Sequence, residues 1–291
     1  MNRSTAKPKF TSLFLSLIVL LQVSAWPSNG CGQKQPEGVT KGKLVRQQMA
    51  IGSSTREWLI YVPKTYKKED PHPLVLSHHG WGGDMHLDAE HTGLMEAARD
   101  NGFIAVFVNG YADNSDWPSF YGWNSWNAVG TSNSPSKLGP TCAEWAGGAR
   151  GCYNSCNDRP SGCDLQGCDW TTCVDDYGFV NALLDAIEDD WCIEMGREYM
   201  SGFSNGAMFT YGAAVRLGRR LAAIAVTGGS VAYGFLEDPP EAMPVIDIHG
   251  ALDDIVPANR SLSADGWLWT NQSDIFARFK QARTYVQHAT C

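Results

Sequence analysis

Gly202-Phe203-Ser204-Asn205-Gly206 is the stretch that decides the fold. It matches G-x-S-x-G, the pattern of a serine held on a sharp strand-to-helix turn, where flanking glycines let the backbone bend tightly and keep side chains away from the serine oxygen. The pattern alone is common. Its setting raises it: a strand is expected at residues 198–202 and a helix rich in small residues from Asn205 onward. Ser204 is therefore the candidate nucleophile.

Two further pieces fit around it. His79-Gly80-Trp81-Gly82-Gly83 follows an expected strand at 73–77. A serine attacking a carbonyl needs N–H groups for the developing oxyanion, one from the residue after the nucleophile and one from a loop after an early strand. Asn205 and Trp81 are the expected donors. His249-Gly250-Ala251-Leu252-Asp253-Asp254-Ile255-Val256-Pro257 follows another expected strand, 244–248. A catalytic acid of such a triad comes after the serine in chain order and just past a later strand. Asp253 is preferred over Asp254, which is expected to cap the turn.

Outward from these motifs, apolar runs and helical periodicities alternate, as in a mostly parallel sheet flanked by helices. Strands are expected at 57–62, 103–108 and 221–226. A helix is expected at 88–100, and another from Asp175, where Phe179, Val180, Leu183, Leu184 and Ile187 form one apolar stripe. Residues 131–173 break the alternation, being rich in Gly, Ser, Pro, Asn and Cys; they read as a cysteine-stapled insertion beside the mouth of the site.

The first 25 residues carry Arg3, Lys7 and Lys9, an apolar run at 13–21 and a small-residue Val23-Ser24-Ala25 end, the three-part pattern of a signal peptide. The run is too short for a bilayer span, which takes roughly 20 apolar residues. Cleavage after Ala25 takes the formal charge from −8 to −11. So acidic a surface argues against nucleic acid or anionic membrane as partner. Residues 26–40 read as a leader and 41–291 as one domain. In an exported chain the nine cysteines read as disulfides. A zinc site fits poorly, since the 142–173 cluster has no C-x2-C pair and no histidine. Asn259-Arg260-Ser261 and Asn271-Gln272-Ser273 are glycosylation sequons.

Together with Ser125-Trp126-Asn127-Ala128, Val174-Asp175-Asp176 and Ala207-Met208, these motifs resemble the secreted feruloyl esterase and polyhydroxybutyrate depolymerase family over residues 41–257. The resemblance implies an α/β-hydrolase fold, with Ser204 and Asp253 catalytic. It implies a carboxylic ester hydrolase acting on hydroxycinnamoyl esters of plant cell-wall polysaccharide, with polyester or acetyl ester as the alternative, and neither cofactor nor metal. A reading of another class is a non-catalytic carbohydrate-binding protein on the same scaffold. Trp81 and Trp126 are expected near the pocket. The family's histidine lies in a G-G-H-x-W-P-G-like segment, which this sequence does not contain. After Asp253 its one histidine is His288, which could act only past a final strand at 283–287. The odd cysteine count points the same way, so the chain is expected to be a C-terminally incomplete form of an active esterase, weakly active or inactive as written.

Overall fold

The structure is a computed structural model that describes residues 26–113, 123–128, 130–146, 153–156, 171–259 and 261–280, with the backbone of 287–290. The expected signal peptide, Cys152, Cys163, Cys168 and Cys291 lie outside the described residues. Among the described residues eight strands form one sheet: β1 (Leu44–Ile51), β2 (Ser54–Tyr61), β3 (His72–His78), β4 (Ile104–Val108), β5 (Ile193–Phe203), β6 (Ala223–Thr227), β7 (Val245–His249) and β8 (Gln287–Thr290). Their order is β1-β2-β4-β3-β5-β6-β7-β8. β1 and β2 pair antiparallel, as do β2 and β4, and every other pairing is parallel.

Among the described residues five helices connect the strands: α1 (Met85–His91), α2 (Leu94–Asn101), α3 (Asp176–Asp190), α4 (Asn205–Arg216) and α5 (Gln272–Lys280). The step from β3 to β4 runs one way along the sheet, and those from β4 through β8 run the other way. Since parallel crossovers are right-handed, the two directions place their helices on opposite faces. The packing agrees. Phe179, Leu183, Phe209, Ile275 and Phe279 from α3, α4 and α5 share a core with Leu74, Leu76, Met200, Val226 and Val245, whereas Met85, Ala89 and Ala98 from α1 and α2 meet Leu59, Tyr61 and Phe107 on the other face. Over β5 to β7 that second face carries no helix among the described residues, leaving Phe203, Ile246 and Ile248 exposed.

The structure adds to the sequence reading at three places. The 88–100 helix is two helices broken at Gly93, whose φ of 67° is left-handed. β1 alternates half-buried and exposed residues at the sheet edge, so it carries no apolar run to read. The leader is tied to the domain: Ser28 Oγ donates to Trp191 O at 2.7 Å, and Cys31 is disulfide-bonded to Cys192. Within the insertion, Cys156 and Cys173 are bonded and Cys142 is also in a disulfide. By the chain-entropy argument a closed loop as short as the one between Cys156 and Cys173 is worth about 3 kcal/mol.

Candidate active site

β5 ends at Phe203 and α4 begins at Asn205, so Ser204 occupies the turn alone, at φ 51° and ψ −117°. It is the one described non-glycine residue with positive φ. Such a backbone is held only where its surroundings over-determine it. Here they do: Ser204 N–H donates to Thr227 O at 2.9 Å, and Met208 N–H donates to Ser204 O at 3.0 Å. The glycines serve close approach. A Cβ on Gly202 would lie 2.3 Å from Gly206 O, and one on Gly206 would lie 2.2 Å from His78 O. This contact seats the start of α4 against the end of β3.

The same contact brings the 79–83 loop to the serine, since a Cβ on Gly80 would stand 3.4 Å from Ser204 Cβ. Asn205 opens α4, where N–H groups lack intrahelical partners and the helix dipole favours negative charge. Its side chain is fully buried, its Oδ1 accepting from Trp126 N–H at 2.9 Å and Ser125 Oγ at 3.1 Å. Trp126 Nε1 donates to His79 O at 2.9 Å. The 125–128 motif is thus a clamp joining the residue after the nucleophile to the loop of the other expected donor. Trp126, expected near the pocket, is fully buried behind the 79–83 loop, stacked on Phe209 at 5.1 Å. Asn127 N–H donates to Asp176 Oδ2 at 2.7 Å, while Asp176 Oδ1 accepts from Arg56 at 2.6 Å. Breaking so buried a pair costs about 3–5 kcal/mol. Asp175 caps α3 by accepting from Gly178 N–H at 2.9 Å.

Trp81 is partly buried, its Nε1 donating to Tyr153 OH at 3.0 Å, and that hydroxyl donates to Trp123 O at 2.7 Å. The cysteine-rich insertion therefore touches the 79–83 loop. A cavity of about 680 Å³ lies beside it, lined by Gly80, Trp81, Asp88, His91, Phe203 and Thr227 among others. Burial pushes the Asp88 carboxyl up to about 6, against the Ser77 hydrogen bond.

Asp253 sits in the turn after β7. Its Oδ1 accepts from Ile255 N–H at 3.0 Å and Val256 N–H at 2.9 Å, so it caps the turn itself, a task expected of Asp254. Asp254 is exposed. Asp253 Oδ2 lies 3.6 Å from His249 Nε2, and 3.8 Å from a Cβ built on Gly228, the residue after β6. The elbow, the 79–83 loop and this acid thus share the carboxyl edge of the sheet.

Among the described residues no histidine hydrogen-bonds the Ser204 hydroxyl. His79 is buried, with Nδ1 donating to Gly80 O at 2.7 Å and Nε2 accepting from Gly110 N–H at 2.9 Å. Burial pushes its pKa down to about 4, and that of His78 to about 3. His288 lies within β8, not in a loop beyond it; its Cα pairs with that of Asp247, two residues short of the strand end. Asn259 is exposed, and Asn271 caps α5, its Oδ1 accepting from Asp274 N–H at 3.0 Å.

No family model matches the chain. It is 24% identical over 246 residues to a probable feruloyl esterase C of Aspergillus oryzae, covering 83% of this chain and 67% of that protein. It is 23% identical over 231 residues to a bifunctional acetylxylan esterase/xylanase of Neocallimastix patriciarum, covering 79% of this chain and 26% of that protein. The chain thus spans between about a quarter and two thirds of these relatives' lengths. Among solved structures, a thermostable esterase aligns with a TM-score of 0.53 at 13% identity, covering 85% of this chain and 55% of the other. An S-formylglutathione hydrolase from Agrobacterium tumefaciens aligns with a TM-score of 0.50 at 13% identity, covering 85% and 86%. At such identities the likeness is one of α/β-hydrolase fold.

Proposed function

We propose that this chain, a feruloyl-esterase-like member of the α/β-hydrolases, is a secreted serine carboxylic ester hydrolase acting on hydroxycinnamoyl esters of plant cell-wall polysaccharide. The observation that carries the reading is the Ser204 elbow, held at positive φ with Gly80 of the 79–83 loop against its Cβ. In this mechanism Ser204 Oγ attacks the ester carbonyl, and the oxyanion is met by the N–H groups of Asn205 and Trp81. The alcohol leaves, and water then releases the acid from the acyl-serine. Asp253 orients the imidazole that takes the serine proton and stabilises its cation. By chain order His288 is the candidate for that imidazole, although its register in β8 places it short of the carboxyl edge.

Acetyl ester is the second substrate reading, favoured by the acetylxylan esterase relative. Export is supported by the charge and apolar pattern of residues 1–25 and by the disulfides; no described helix is long and apolar enough to cross a membrane. Of the two sequons Asn259 is the better acceptor, because the Asn271 amide also donates to Asp274 Oδ2 at 2.7 Å.

The test is turnover of methyl ferulate, acetyl esters and hydroxybutyrate oligomers, alongside labelling by a serine-directed fluorophosphonate. Ser204→Ala should abolish labelling and lower turnover by about three orders of magnitude or more with the fold intact. Turnover unchanged in Ser204→Ala would remove the nucleophile. A wild-type chain that neither labels nor turns over ester would fit the non-catalytic scaffold or an esterase without its base, and would leave the active reading of this chain refuted. Loss of turnover in His288→Ala would assign the base; full turnover there would exclude it.

A further inference from the structure

Behind Asp253 lies a buried cluster that the mechanism above does not use. The His249 ring has Nδ1 3.4 Å from Asp247 Oδ1 and Nε2 3.6 Å from Asp253 Oδ2, and its side chain is only 5% exposed. Nε2 also donates to Val256 O at 2.5 Å, across the turn that carries Asp253. Asp247 is itself buried, at 3%. Its Oδ2 accepts from Tyr211 OH at 2.7 Å, while no well-formed hydrogen bond reaches its Oδ1. A carboxylate in that position is costly unless a cation or a donor compensates it.

Among the described residues the groups around the ring leave one source of positive charge. α4 contributes Tyr211, α5 contributes Gln272, the turn contributes Asp253 and the Val256 carbonyl, and β7 contributes Asp247. Gln272 Nε2 gives one N–H to Gly229 O at 2.8 Å, and its second N–H approaches Nδ1 at 3.4 Å, no nearer than Asp247 Oδ1 lies to the same nitrogen. A neutral ring with its proton on Nε2 would keep the Val256 bond but leave two carboxylates without a counter-charge. A doubly protonated ring sets a cation 3.4 Å from Asp247 Oδ1 and 3.6 Å from Asp253 Oδ2, and keeps the Val256 bond as well.

We propose that His249 is a positioning residue that works as an imidazolium, bridging Asp247 and Asp253 and pinning Val256, so that the 250–256 turn presents the Asp253 carboxylate in one fixed orientation. The proposal rests on Asp253 being the catalytic acid. The electrostatics run the same way. Burial alone would hold the ring neutral, but hydrogen bonds to Asp247 and Val256 and the charges of Asp247 and Asp253 outweigh it and raise the pKa above 6.5.

Ring 15N shifts of histidine-labelled protein, assigned by His249→Gln, test the charge without requiring turnover. The ring should be doubly protonated at neutral pH, and Asp247→Asn should weaken its proton affinity about tenfold or more. A neutral ring at pH 7, or a titration unmoved by Asp247→Asn, would overturn the proposal. In kinetics, His249→Gln, which keeps a donor for Val256, should lower kcat by roughly a hundredfold with KM little changed, as expected of a displaced catalytic group. It should also remove the alkaline limb that deprotonation of His249 gives to kcat. Wild-type kcat and an unchanged alkaline limb in His249→Gln, with Ser204→Ala inactive, would refute the positioning role while leaving the esterase reading in place. Full turnover in Ser204→Ala would instead refute that reading, with the ring titration still deciding the charge on His249.

Discussion

The two sides of the site are built from different physics. On the nucleophile side the elbow is fixed by shape: glycines at 202 and 206 admit backbone against backbone, Asn205 is locked by neutral hydrogen bonds, and burial holds His78 and His79 uncharged. On the acid side the turn is fixed by groups that titrate, with His249 between Asp247 and Asp253. A shape-built element should respond to added volume and ignore pH; a charge-built element should do the reverse.

The largest effect is expected where the elbow has no room. In Gly206→Ala the new Cβ would lie 2.2 Å from His78 O and 2.4 Å from His79 O, both backbone atoms that cannot step aside singly. Overpacking of this kind costs typically about 1–3 kcal/mol and sometimes more, and here it would also separate the oxyanion loop from the serine. Thermal unfolding should drop by several degrees and fluorophosphonate labelling should disappear at all pH values. Gly196→Ala, on the same β5–α4 unit but with nothing within 4 Å of its Cβ, is the control and should change neither. Equal losses in the two variants would show that the elbow's tight contact is not what holds it.

On the acid side, Asp253→Asn should lower turnover by about three to four orders of magnitude with little loss of stability. An amide oxygen can still accept from Ile255 and Val256 N–H, whereas the charge that faces a catalytic imidazole is lost. Asp254→Asn, at an exposed position, should stay within about tenfold of wild type. Comparable kcat losses at the two positions would mean that the turn, and not the Asp253 carboxylate, is what matters.

The same division explains what could be read in advance. Shape demands are written locally: the glycines around Ser204, the small residues of α4 and the strands flanking each motif were legible because each constrains its own neighbourhood. Contacts made across the sheet were not. The 125–128 segment is recognisable as a motif, but nothing in its residues says that Trp126 is buried, or that its N–H holds a side chain 79 positions away. Asp176 looks like part of a helix start, and Asp175 next to it does cap α3. The buried bond from Arg56, 120 residues earlier, is visible only in three dimensions. Gly93 could be read as a weak point in the 88–100 helix, since the apolar spacing that suggested it, Leu94, Met95 and Ala98, lies wholly beyond the glycine. The base is the piece that neither sequence pattern nor register supplies in the expected place.

The smallest effect concerns a buried acid far from the chemistry, and it tests whether pH sensitivity belongs to the acid turn alone. Glu198 lies midway along β5, 1% exposed, with no hydrogen bond to its Oε1. Near it Arg220 donates to Asp185 Oδ1 at 2.6 Å and also bonds Glu188 Oε1. Burial first, and then the Glu188 charge, push the Glu198 carboxyl up to about 9. An acid whose folded pKa lies above its unfolded value adds stability that is fully present below the unfolded pKa, near 4.5, and is lost as pH rises through about 9. Glu198→Gln places a neutral group of the same shape there at every pH. The variant should melt a few degrees above wild type at about pH 9 and no higher at about pH 5, with the pH dependence of kcat unmoved. A shifted kcat profile would tie this cluster to the site and blur the contrast between its two sides; a melting difference that grows toward acid pH would mean that Glu198 is ionised in the folded protein.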